Sequence, residues 1–215
     1  MLATVLTAVV YIQTQRLADQ AAEQNEQLMI QSATAATVLA EQADIAENLK
    51  FVRQAVIDDS RILPFSGLNL RGVTLQRLDL GCRSNDRREC ADFSRSVLSS
   101  SDLQGTQLNG AVMTGTDLSS ANLGYANLNG AFLSFADMSS ATLRSAHLRF
   151  AVLVKAELNG ANLRLADLTS ADLTGADVSY ADFRGADLTD ATLVDLTCDR
   201  TRWPEEAPSA DCDRG

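Results

Sequence analysis

The chain of 215 residues reads as mainly β: a parallel β-helical rod built from five-residue units and preceded by one long α-helix. Three observations carry that reading. From Phe93 to Leu193 a large apolar residue recurs at every fifth position, 21 times without a slip, always Leu, Phe, Met or Val. Residues 1–62 contain neither Gly nor Pro and are rich in Ala, Gln, Glu and Leu, the composition of a continuous helix. The five-residue period stops in a tail, residues 196–215, that holds the only Trp of the chain and two of its 4 Cys.

The helix, residues 1–62, begins with the uncharged apolar run Leu2–Ile12. Eleven residues fall short of the roughly 20 that a membrane span needs. The run also lacks the basic leading region and small-residue cleavage site of a signal peptide. It reads either as the distal half of a membrane anchor or as an interfacial or partner-facing helix end. The anchor is the preferred reading, so the chain is expected to be membrane-anchored or membrane-proximal through residues 2–12, extracytoplasmic rather than cytoplasmic. Arg16 alone follows the run, too little charge to set an orientation.

Over residues 17–56, steps of three and four pick out Leu17, Ala21, Gln24, Leu28, Gln31, Ala35, Val38, Gln42, Ile45, Leu49, Val52 and Val56. Such a seam suits a coiled coil and a homo-oligomer formed through the helix, with the Gln positions weakening it. The other reading is a single helix, packed along the rod or solvated.

The repeat that follows excludes a helix, because residues five apart drift around a 3.6-residue spiral and collect on no single face. A short extended segment fits it. Two residues before each large apolar position lies a small one, Ala in 17 of 21 units, with mostly Asp or Asn between them. In Ala171-Asp172-Leu173 the side chains alternate in, out, in, and the two small polar residues that follow turn a corner. Each unit is then one side of a coil. The interior is narrow, so Ala is needed beside Leu, and each buried Leu contributes roughly 1.5–3 kcal/mol.

Units such as Ala161-Asn162-Leu163-Arg164-Leu165 and Ala181-Asp182-Phe183 resemble the A(D/N)Lxx consensus of the pentapeptide repeat family. The resemblance runs from Ala91 to Asp195. A poorer run (Leu68-Asn69-Leu70, Val73-Thr74-Leu75, Leu78-Asp79-Leu80) extends the rod to 66–195, with an insertion at 83–90. It implies a right-handed quadrilateral β-helix of four units per coil, hence about five coils from Ala91 onward and a rod roughly 25 Å long. Rod ends expose strand edges that must be covered. Residues 196–215, with Trp203, read as the C-terminal cap, and the helix covers or leads into the other end.

Outward positions offer three surfaces. Asp117, Asp137, Glu157 and Asp177 form an acidic ladder, which could imitate a phosphate backbone, collect cations or simply keep the rod soluble. Val112, Phe132 and Val152, with Phe135 and Val154 close by, form an apolar patch, which reads as a partner interface, a site covered by the helix, or scattered exposure without a role. Arg144, Arg164 and Arg184 form a column that could hold an anion or pair with neighbouring Asp. Cys82 with Cys90 and Cys198 with Cys212 bracket polar stretches and read as candidate disulfides of an oxidising compartment, the alternative being four reduced thiols in the cytoplasm.

No catalytic, cofactor or metal constellation is legible. The lone His147 stands at an outward position with no nucleophile singled out beside it, and no Gly-rich phosphate loop occurs. A net charge of −10 argues against direct nucleic-acid binding. The expected function is a non-enzymatic scaffold for a protein partner whose identity the residues do not disclose. The alternative that the family resemblance implies is a DNA-mimicking gyrase-binding protein of the quinolone-resistance kind. Such members are cytoplasmic dimers joined through their C-terminal ends, and this chain departs from them in its long helix and its Cys-bearing tail.

Overall fold

The computed structural model describes residues 2–57, 63–82, 90–205 and 212–213. The inserted residues 83–89 and most of the tail beyond Glu205 lie outside the described residues. Two compact units divide the chain, Met1–Asp44 and Ile45–Gly215.

Helix α1 spans Leu2–Ile57 without interruption, as expected of a stretch with no Gly or Pro. Every side chain from Glu23 to Asp44 is exposed, including Leu28 and Val38 of the heptad seam. The side chains of Leu17 and Ala21, earlier in that seam, lie outside the described ones. The membrane expectation is corrected: among the described residues no helix is long and apolar enough to cross a membrane. The physical reason is length: the apolar run Leu2–Ile12 is about half of what a span needs, and Gln13-Thr14-Gln15-Arg16 end it.

Residues of the second unit coil. Parallel bridges join each outward residue to the one twenty positions later, as in Asp117↔Asp137, Asn122↔Thr142, Asn127↔His147 and Phe132↔Val152, so that four columns of bridges run along the rod. The fold is a β-helix. In the units from Ala91 to Leu188 the small residue and the large apolar residue are both buried, and the residue between them faces outward: Ala171 and Leu173 are 0% exposed while Asp172 is partly open. Four units put Ser or Thr in the small position, and their hydroxyls donate to backbone carbonyls, such as Thr116 to Phe93 at 2.7 Å. No buried polar side-chain atom among the described residues lacks a partner.

Corners are made the same way throughout. The Ala121 N–H donates to the Leu118 carbonyl at 3.0 Å, closing a four-residue turn whose third residue, Ser120, has φ 57°. Every fifth residue from Arg95 to Arg200 has a positive φ, the requirement of a type II turn. Gly meets it freely. A side chain there costs about 1 kcal/mol, so the corners are held by the stacked backbone rather than by local preference.

The first coil stacks at a shifted register. Strand β1 (Leu63–Pro64) pairs with β2 (Ala91–Asp92), and Asn69, Thr74 and Asp79 bridge to Val97, Asp102 and Gln107. The last turns of α1 cover this coil. Val52 is fully buried, and Phe51 meets Phe65 edge-on at 5.8 Å. Asn48 donates to the Asn69 carbonyl at 3.1 Å, and Arg53 to the Thr74 carbonyl at 3.2 Å. In every later coil such outward carbonyls accept from the preceding coil, so the helix side chains replace the missing strand.

At the other end the coil geometry runs past Asp195: Thr197 bridges Asp177, and Arg202 bridges Asp182. Trp203 stacks on Phe183 with ring centroids 5.1 Å apart, continuing the interior lane. Strand β3 (Leu196–Thr197) pairs in parallel with β4 (Cys212–Asp213).

Candidate interaction surface

All four columns share one backbone, so function must be sought in their outward side chains. The commonest of these, Asp and Asn, have a local task. Asp137 Oδ1 accepts from the Ser139 N–H at 2.9 Å and from the Ser139 hydroxyl at 2.6 Å. The same bond to the N–H two residues on is made by Asp92, Asp117, Asn122, Asp167, Asp172 and Asp187, among others. These are Asx turns, and they hold the entry to each corner. Sequence reasoning missed them, although Asp-Leu-Ser and Asp-Leu-Thr were there to be read.

The acidic ladder is a continuous column, Asp117↔Asp137↔Glu157↔Asp177. Three of its carboxylates are occupied by Ser119, Ser139 and Ser179. Partial burial pushes the Asp117 carboxyl upward, but the Ser119 hydroxyl and N–H, Ser99 and the Arg71 charge together hold it below its ordinary value. Glu157, one methylene longer, stands exposed. The ladder is first a set of turn braces.

The apolar patch is assembled too. Val112, Phe132 and Val152 bridge one another in succession, and each is half-buried. At the adjoining corner the Phe135 N–H donates to the Val154 carbonyl at 3.0 Å, which brings both residues beside that column. Phe135 is 59% exposed, and Lys155 lies over its ring, 5.9 Å from the centroid. The result is an apolar ledge spanning three coils.

The Arg column closes on a carboxylate. Arg184 binds Asp182 through two bonds, at 2.9 and 2.7 Å, with Arg164 at 3.8 Å and Arg202 at 3.9 Å on the same group. The Arg184 hydrogen bonds, with smaller help from Arg164, lower the Asp182 carboxyl to about 2. Arg144 takes no part. His147 is exposed in its own column between Asn127 and Asp167. Among the described residues no cluster of His, Cys, Asp and Glu could hold a metal ion.

A disulfide joins Cys82 to Cys90, bridging the inserted stretch where the register shifts. It lies against Gly110, where any Cβ would collide with Cys82 Sγ. Cys198 is also disulfide-bonded. Cys212 lies in β4, with its side chain outside the described ones.

Comparisons with known proteins agree with this geometry. The family model for pentapeptide repeats matches in 8 copies over residues 89–115, 116–153, 133–169 and 166–196, half of the chain. No curated protein matches. Among solved structures, HetL, a pentapeptide repeat protein involved in heterocyst differentiation regulation from the cyanobacterium Nostoc, is 26% identical over 70% of this chain and 77% of its own, with a TM-score of 0.48. Rfr23, a pentapeptide repeat protein from the cyanobacterium Cyanothece, is 27% identical over 65% of this chain and 90% of its own, at 0.45. QnrB1, a plasmid-mediated fluoroquinolone resistance protein, is 20% identical over 65% and 78%, at 0.42. At those scores the structural likenesses carry no functional argument.

Proposed function

The chain belongs to the pentapeptide repeat family, and from that premise we propose that it is a non-enzymatic interaction scaffold, a right-handed four-sided β-helix that presents its apolar ledge to a protein partner. Four bridge columns per coil support the cross-section. The observation that carries the function is the ledge itself: apolar side chains in three successive coils, where the repeat elsewhere favours Asp or Asn. Contiguous outward apolar groups are the mark of an interface. Affinity capture from native-cell extract tests this, comparing the full chain with the double variant Phe132→Asn/Val152→Asn. A protein held by the first and lost by the second is expected; identical sets from both overturn the reading.

A second role is helix self-association, supported by the exposure of Leu28 and Val38 along the seam. Sedimentation equilibrium of the full chain and of Leu28→Asp/Val38→Asp would show an oligomer that the variant loses. The gyrase-binding alternative is favoured only by the acidic ladder, and three of its carboxylates already brace turns. A supercoiling assay with purified protein tests it, and no inhibition at micromolar concentration ends it.

A further inference from the structure

We infer that the ledge is built for a basic amphipathic segment of a partner protein, one whose apolar stripe is flanked by Lys and Arg. The inference rests on the reading of the ledge as an interface and adds the chemistry of what docks there.

The first argument is what the ledge gives up. Asp92 and Asp172, which flank the ledge in the same column, brace their turns through Ser94 at 2.9 Å and Thr174 at 3.0 Å. Val112, Phe132 and Val152 lie between them and have no side-chain oxygen to do so. Single departures from Asp or Asn occur in other columns, such as Thr142 and His147. Among the described residues only this column departs in three successive coils. Each forgone bond is one the fold makes readily elsewhere, so turn bracing does not account for the apolar choice here.

The second argument is the frame. Asp92 and Asp172 bound the ledge along the rod axis. Across the Phe135 corner the next column is the acidic ladder, with Asp137 and Glu157 level with the middle of the ledge. Arg95 and Lys155 stand in the corner column and offset part of this charge, and Lys155 is held over Phe135. On the opposite flank stand Asn127 and His147, with Arg149 over Phe150 at the intervening corner, so acid lines the two ends and one flank of the ledge. An apolar centre with charge on its rim is the anatomy of a specific interface, with the rim charge selecting the partner.

The same charge argument separates the occupants. A second copy of the chain would bring a net charge of −10 against −10. The chain's own residues 2–44 carry a single basic group, Arg16, against Asp19, Glu23, Glu26, Glu41 and Asp44. Neither complements the rim. Three coils measure about 10 Å between the first and last outward residues, enough for two turns of a helix and too little for an extended domain face.

The test uses the full chain and three fluorescein-labelled peptides: an amphipathic Leu/Lys helix, its Leu/Glu counterpart, and a scrambled Leu/Lys sequence of the same composition. Fluorescence anisotropy should show the amphipathic basic peptide binding at least about tenfold tighter than either control. The double variant Phe132→Asn/Val152→Asn should weaken it at least about tenfold. These substitutions restore the repeat consensus, so the variant should fold, and an unchanged melting curve verifies that. Binding unaffected by the double variant would mean simple attraction to acidic surface and would overturn the inference. Equal binding of the Leu/Glu helix, lost in the variant, would overturn the partner chemistry while leaving the ledge as an interface. No binding by any peptide would overturn the inference, and the capture experiment would then decide the ledge separately.

Discussion

Two neighbouring columns of the same rod, the acidic ladder and the apolar ledge, are built on one backbone and differ only in what stands outward. In the ladder Asp117, Asp137 and Asp177 spend their oxygens on the following turn. In the ledge Val112, Phe132 and Val152 make no such bond, and the coil forms there all the same, with the Leu133 N–H donating to the Val152 carbonyl at 2.8 Å. The contrast shows that the interior lanes and the interstrand bonds define the fold, while the outward bond is an increment that a column can forgo.

The comparison can be broken most severely from inside. Leu173→Asp puts an unpaired charge on an axis where the wild-type residue is fully buried, and should cost about 4–5 kcal/mol or more. Urea unfolding would measure it, and a loss under about 1 kcal/mol would refute the dry interior common to both columns. One step outward, Asp137→Ala removes two bonds from Ser139 and should cost about 1 kcal/mol. In the ledge the reverse change, Phe132→Asn, should be neutral or stabilising by a few tenths of a kcal/mol, since it can regain the bond to residue 134. Opposite signs for these two substitutions would confirm that the columns trade the same interaction; equal signs would dissolve the contrast.

Acid should act on the braced positions and leave the ledge indifferent. Asp117, Asp182 and Asp187 are all held below their ordinary values. Their folded pKa values are depressed, so their stabilisation is present above the unfolded value near 4 and is lost as pH falls through the folded values, toward about 2 for Asp182. Melting temperature should therefore decline below pH 4. Asp182→Asn should shrink that decline, whereas Phe132→Asn should not alter its shape. The effect should be modest, because most of these groups are in contact with water.

The five-residue register, the β-helix and the two burial lanes were legible in the sequence because each repeats strictly, and Ala and Leu leave no other way to share a narrow axis. The assembly of Val112, Phe132 and Val152 followed from the same arithmetic. What escaped was local or positional. The Asx turns were hidden because Asp was read as a solubilising residue. That the helix meets the first coil was expected, but the choice of Asn48 and Arg53 for its carbonyls depends on where the helix ends against the strand, which no periodicity encodes. The continuation of the coil through Leu196, Cys198 and Trp203 was masked by residue types foreign to the repeat. The apolar start at 2–12 misled because eleven residues were read as half of a longer span, whereas among the described residues no helix is long and apolar enough to cross a membrane.

The corners hold one further consequence. Leu165 lies over Gly185, whose added Cβ would come within 2.8 Å of Leu165 Cδ2, and Lys155 similarly overlies Gly175 at 3.2 Å. Elsewhere the residue after a large corner is itself large and lies over its ring, as Lys155 does over Phe135 and Arg200 over Tyr180. A corner side chain is thus accommodated either by a gap in the next coil or by a chain stacked upon it. A duplicate of residues 161–180 inserted after its original would replace the Gly that follows Leu165 by a second leucine, so the order of the coils is as much a part of the structure as their number.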